Sequence, residues 1–167
     1  MNSVRRIILA LGSNIGDRER NFADALKALS SLIIIDKVSS VYSTASLLRD
    51  GQADYYNICC SGCTGLSTDK LLTFIKKTEK ELGREQSARW QSRLIDIDII
   101  DFGGEIHESE GLAVPHKETA NRSFVLYPLR DVDADYVHPV SGMSIDRLIA
   151  GLKDDLDIKK IGDLSWR

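Results

Sequence analysis

The stretch "RLIDIDII", Arg93 to Ile100, sets two carboxylates, Asp96 and Asp98, inside an otherwise leucine- and isoleucine-rich run. In a strand, alternate side chains share a face, so Ile95, Ile97 and Ile99 would point one way and Asp96 and Asp98 the other. Aspartate is depleted from strands. Paired acids on so apolar a strand must be solvated, matched by arginines or bound to a cation.

The flanking sequence supplies the rest of a fold. "RRIILALG" (5–12) reads as a buried strand. "DRERNFADALKALSSL" (17–32) spaces Phe22, Ala25, Leu26, Leu29 and Leu32 as one helix face, with Asp17 as a candidate N-cap. "IIIDKVSSVYS" (33–43) and "YYNICCSGC" (55–63) read as two strands. "STDKLLTFIKKTEKELG" (67–83) is a second amphipathic helix, with Leu71, Leu72, Ile75 and Leu82 inward; Ser67 or Thr68 can cap it and Gly83 can end it. The acid strand follows, closed by the turn "FGG". Strand, helix, strand, strand, helix, strand is the ferredoxin-like βαββαβ order. The expected fold is α+β, with an antiparallel sheet, two helices on one face and the other face left for a site. "AVPHKETANRSFVLYPLRDV" and "SIDRLIAGL" add a C-terminal loop, a short helix and a final helix over that core. Without linkers or repeats, residues 1–167 are expected to form a single domain.

Composition excludes some classes of function. The chain has 167 residues, 43% of them hydrophobic and 28% charged, with a net charge of −3. That balance gives no general attraction to nucleic acid or acidic membranes. The N-terminal apolar run is too short for a membrane span. Three cysteines sit together as "CCSGC", with none elsewhere to bridge distant segments, which points to a reducing compartment, the cytoplasm. No partner pair gives Cys59, Cys60 and Cys63 zinc spacing, so core packing is the expectation for them.

Two cationic clusters flank the acid strand. "GREQSARWQSR" (83–93) carries Arg84, Arg89 and Arg93 around Trp90. Arginine's planar fork suits phosphate oxygens, and a polyphosphate carried by a divalent cation needs guanidiniums as well as carboxylates. The same arginines could instead simply neutralise Asp96 and Asp98, and spacing leaves both readings open. "VPHKETANRSF" (114–124) adds His116, Lys117 and Arg122, where His116 alone reads as a structural histidine and the group reads as a phosphate site. "LGSNIGD" (11–17) lacks the usual phosphate-loop signatures and could be an ordinary turn or bring backbone amides to a ligand.

Taken together these segments resemble the 6-hydroxymethyl-7,8-dihydropterin pyrophosphokinases of folate biosynthesis. The resemblance runs in order through "LALGSNIGD", "SSVYSTASL", "ADYYNI", "ELGR", "RWQSRLIDIDII", "VPHKETANRSFVLYPL" and His138–Pro139. It implies transfer of diphosphate from ATP to the pterin hydroxymethyl oxygen, with release of AMP. It assigns two magnesium ions to Asp96 and Asp98, and catalytic phosphate contacts to Arg84 and Arg93. Nucleotide contacts fall to Glu79, Arg84, Arg93, Ile99, His116 and Arg122, with Lys117 at a variable position. The pterin pocket matches Thr44, Ala45, Leu47, Tyr55, Asn57, Trp90 and Phe124, and Trp90 would help close the segment 84–92 over the site. An aromatic stack with an amide that pairs donor and acceptor edges suits a flat heterocycle.

The sequence also departs from that family. Ala45–Ser46 stands where a proline is usual, Leu48 where glycine is common and Ala53 where proline is common. Gln91–Ser92 precedes the motif arginine in place of a small residue and proline, and the run between Arg84 and Arg89 is short, with Gln86 where another arginine occurs in relatives. These differences fall on the pocket rim and the arginine segment, away from the acid pair. Expected partners are the two small substrates, with no nucleic acid or membrane, and a monomer is the starting expectation. Two alternatives remain: a nucleic-acid-binding module on a ferredoxin-like sheet, which would want a basic aromatic surface, and a two-metal phosphodiesterase, which would need more ligands.

Overall fold

The structure, a computed structural model, describes residues 3–45, 53–83, 94–154 and 156–167. Strand β1 (Arg5–Ser13) leads through a turn into helix α1 (Arg18–Leu29). Strands β2 (Ile34–Val38), β3 (Ser40–Thr44) and β4 (Tyr55–Thr64) follow, then helix α2 (Thr68–Glu81) and strand β5 (Asp96–Phe102). A hairpin of β6 (His107–Ser109) and β7 (Leu112–Val114), helices α3 (Ser123–Val132) and α4 (Ile145–Ala150), and strand β8 (Lys159–Asp163) complete the order. The six-stranded sheet runs β5-β1-β4-β3-β8, with β2 also on β4, and its pairings are antiparallel.

Local chemistry sets the helix ends. Asp17 accepts the Arg20 N–H and caps α1, while Ser67 accepts the Lys70 N–H and caps α2. Gly83, at φ 96°, ends α2 in the left-handed region that glycine occupies without strain. Phe22, Ala25, Leu26 and Leu29 of α1 pack with Leu71 and Ile75 of α2 against one face of the sheet. Leu32 does not join them: α1 stops at Leu29, and Leu32 lies exposed in the following turn.

"IIIDKVSSVYS" forms two strands rather than one. The break is at Ser39, whose N–H donates to the Cys59 carbonyl at 2.9 Å and whose Oγ accepts the Cys59 N–H at 2.9 Å. A register shift at Ile35–Lys37 comes just before it. The other face of the sheet is less open than expected. Val125, Leu126, Leu129 and Val132 of α3, with Ile145 and Leu148 of α4, close over Ile8, Cys59 and Ile100. That second core confines a site on this face to one end of the sheet. Cys59 and Cys60 are buried, and burial raises both thiols, Cys60 to about 12, so they act as inert packing groups. Cys63 is only partly buried.

Helix α3 lacks a cap of its own, since the Arg122 side chain makes no capping bond. Asp154, from beyond α4, supplies one by accepting the Ser123 N–H at 2.7 Å. Asp154→Ala should therefore lower stability by about 1 kcal/mol, the usual cost of a lost N-cap. Urea denaturation of the variant against the parent checks this, and an unchanged midpoint would mean that water replaces the carboxylate without loss. No helix among the described residues is long and apolar enough to cross a membrane.

Candidate active site

The acid strand has the two faces its alternation requires. Ile95, Ile97 and Ile99 are buried in the core beneath α1 and α2, so Asp96 and Asp98 lie on the α3 side, both half-buried. A bulge follows: Leu9 pairs with Ile99 and Ile8 with Asp101, leaving Ile100 as the extra residue. Ile100 consequently turns into the second core and packs with Ile8.

Register then carries the site across the sheet. Asp96 is opposite Gly12, Gly12 is opposite Asn57, and Asn57 is opposite Tyr42. One step along, Asp98 is opposite Ala10 and Ala10 opposite Cys59. Residues directly opposite share a face, so the acid pair, Asn57 and Tyr55 all stand on the α3 side. Thr44, buried, is opposite Tyr55, and Ala45 after it is exposed. Gly12 forms a floor without a side chain between Asp96 and Asn57. A Cβ there would come within 3.0 Å of Asn57 Oδ1. The sequence reading missed this role of Gly12, although the glycine of "LGSN" was in view.

Other elements frame this row. The start of β4 is fixed from the opposite face, where the Arg18 guanidinium lies 3.8 Å from the centre of the Tyr56 ring and donates to the Asp54 carbonyl at 2.7 Å. Phe124, in the first turn of α3, packs at the edge of the second core, with the Arg122 guanidinium 5.5 Å from its ring centre. Two candidate nucleotide positions lie elsewhere. Glu79 is 4% exposed on α2, and its Oε1 accepts the Ile97 N–H at 2.8 Å, while Ile99 is core. Leu47, Arg84, Arg89, Trp90 and Arg93 lie outside the described residues.

His116 accepts the Glu118 N–H on Nδ1 at 3.2 Å, which leaves Nε2 as the protonated nitrogen of the neutral ring. Lys117 sits 3.7 Å from Glu108, and both side chains are exposed. These residues border an open groove of ≈ 220 Å³ between the β6–β7 hairpin and the turn at His138, lined by His107, His116 and His138. Among the described residues, no group of three or more His, Cys, Asp or Glu is arranged to hold a metal, so the groove is not a ligand cage.

His138 gives a pH test of this region. It is buried, and Nδ1 accepts the N–H groups of Val140 and Ser141 at 3.3 and 3.2 Å. Burial lowers its pKa below the usual 6.5, partly opposed by Asp101. The folded state thus binds fewer protons than the unfolded chain once pH falls below that usual value. The contribution of His138 is present above about 6.5 and is lost as pH falls toward the depressed folded value. His138→Asn, which keeps an acceptor, should show a flatter fall in urea stability over this window. Parallel pH profiles for parent and variant would reject the assignment.

Residues 8–134 match the family described as 7,8-dihydro-6-hydroxymethylpterin-pyrophosphokinase. The chain belongs to this family. It is 38% identical over 153 residues to the 2-amino-4-hydroxy-6-hydroxymethyldihydropteridine pyrophosphokinase of Haemophilus influenzae, covering 90% of this chain and 95% of that protein. The enzyme of the same name from Aquifex aeolicus is 36% identical over 134 residues, covering 80% and 84%. The folic acid synthesis protein fol1 of Pneumocystis carinii is 38% identical over 93% of this chain, but this chain spans only 21% of its length. In structure, the Plasmodium falciparum HPPK-DHPS triple mutant superposes with a TM-score of 0.74 at 16% identity, covering 90% of this chain and 43% of that one. The pyrophosphokinase relatives thus include proteins of about this size and longer chains in which it matches one part. Neither the nucleic-acid-binding alternative nor the phosphodiesterase finds support in these matches.

Proposed function

We propose that this pyrophosphokinase-family chain transfers diphosphate from ATP to the hydroxymethyl oxygen of 6-hydroxymethyl-7,8-dihydropterin, releasing AMP, as a step of folate biosynthesis. The observation that carries this reading is the row Asp96–Gly12–Asn57, with Asp98 one step along: two carboxylates and a buried amide on one face, with a residue lacking a side chain between Asp96 and Asn57. The carboxylates face polyphosphate, and the amide faces a heterocycle.

In the reaction the pterin oxygen bonds to the β-phosphorus, the bond from that phosphorus to the α–β bridging oxygen breaks, and AMP leaves. The hydroxyl proton passes to solvent. Such transfer asks the protein mainly to position groups and to stabilise charge. Asn57, Tyr55, Thr44, Ala45 and Phe124 would hold the pterin, with Leu47 and Trp90 assigned by resemblance. Arg122 and the Nε2–H of His116 would contact the nucleotide, with Arg84 and Arg93, and the buried Glu79 and Ile99, assigned by resemblance alone. Two half-buried carboxylates are hard oxygen donors of the kind magnesium takes, and magnesium commonly uses one or two carboxylates with substrate phosphates and water. Asp96 and Asp98 would therefore hold magnesium, two ions by resemblance, which when bound offsets the phosphate charge.

We read the core strand order, with α1 and α2 behind it, as ferredoxin-like, and residues 1–167 as one pterin pyrophosphokinase-like domain with C-terminal additions. A cytoplasmic monomer acting on small molecules fits the free cysteines and the weak net charge. Incubation with ATP, magnesium and the hydroxymethylpterin tests the reading. AMP should form only when the pterin is present; pterin-independent AMP, or ADP as the product, would overturn it.

A further inference from the structure

The half of β5 that carries the acids has little backbone support of its own. Among the described residues it is an edge strand, paired on one side by β1, and the bulge at Ile100 interrupts that ladder just beyond Asp98. A small cavity of ≈ 30 Å³ lies at its start, bounded by Asn21, Leu82, Leu94 and Ile95 among others. A short edge run of this kind opens readily unless side chains tie its backbone elsewhere.

Among the described residues, two side chains do so. Glu79 takes the Ile97 N–H. At the start of the strand, Asn21 Nδ2 of α1 lies 3.1 Å from Ser13 Oγ, 2.8 Å from the Ile15 carbonyl and 3.3 Å from the Leu94 carbonyl. One amide, its two hydrogens shared among three acceptors, thus reaches the end of β1, the turn after it and the residue two places before Asp96. Gly83 meets the same point, since a Cβ on it would come 3.3 Å from Leu94 Cδ2. Two carbonyls from separate segments call for a donor with at least two hydrogens, which aspartate and leucine do not offer.

We propose that Asn21 is a positioning residue that ties Leu94 to the turn after β1 and so holds Asp96 in register beside Gly12. The effect on metal binding rests on the reading of Asp96 and Asp98 as magnesium-binding acids.

The full chain carrying Asn21→Leu, Asn21→Asp or Asn21→Gln provides the test. In metal-free protein, amide hydrogen exchange over residues 95–98 should speed up roughly tenfold in the Leu and Asp variants, the scale of a lost hydrogen bond or two. Exchange across the β1–β4 pairs should stay near the parent rate, and Asn21→Gln, which keeps the donor, should restore most protection. Binding of a non-hydrolysable ATP analogue should need about tenfold more magnesium in the Leu and Asp variants, with pterin affinity unchanged. Unchanged exchange at 95–98, or equal losses for pterin and magnesium–nucleotide, would overturn the proposal. If Asn21→Leu fails to fold, Asn21→Asp, of nearly the same shape, carries the comparison. Asp96→Asn run alongside separates the two claims. If it keeps magnesium-dependent nucleotide binding, the magnesium reading fails, and the metal-free exchange still judges Asn21.

Discussion

Asp96→Asn and Asp98→Asn should each reduce magnesium-dependent diphosphate transfer by at least roughly 10²–10³-fold, the scale on which removing one charge-stabilising group acts. Neither should unfold the protein. Two carboxylates at i and i+2 on one strand face stand about 7 Å apart, and at an effective dielectric of 20 their repulsion is about 2–3 kcal/mol. Without magnesium, each near-isosteric variant should therefore keep or gain stability. If the arginines of the 84–93 segment were the acids' true counterparts, both variants would lose stability with or without the metal. Thermal melts with and without magnesium and an ATP analogue distinguish the two cases.

Asn57→Ala should weaken pterin binding by about 1–3 kcal/mol, because partner groups on the ring would be buried unpaired. Nucleotide binding should change little. Gly12→Ala should act through the same amide, since its Cβ would come within 3.0 Å of Asn57 Oδ1 and the amide would have to move. Combined, the two changes should cost less than their sum, as expected of residues sharing one contact. Calorimetric titration with pterin and, separately, with an ATP analogue measures all three variants. Equal losses for both ligands would remove Asn57 from the pterin wall.

Much of this arrangement was legible from residue order. The period of two in Ile95–Ile99 told which way the carboxylates face, and Asp17, Ser67 and Gly83 marked helix ends by their own chemistry. The bulge at Ile100 was hidden because Ile99 and Ile100 are both apolar and either could continue the alternation. Strand β8 and the β6–β7 hairpin were missed. "KKIGD" is mostly exposed and carries a glycine, and the hairpin strands are three residues long, too short for alternation to mark them. The division at Ser39 depends on its bonds to Cys59, twenty residues away. Asn21 acts on Leu94 across 73 residues, a distance over which local pattern carries no signal. The site residues that matched known positions came from the resemblance, and register explains why Asp96 and Asn57 meet the same gap.

The fate of isotopic label from ATP tests the transfer most directly. With label on the β- and γ-phosphorus, both should appear together on the pterin product, while label on the α-phosphorus should appear only in AMP, in equal amount. Label from the γ-position alone on the pterin, or β- and γ-label released as free phosphate or diphosphate, would contradict diphosphate transfer by this chain.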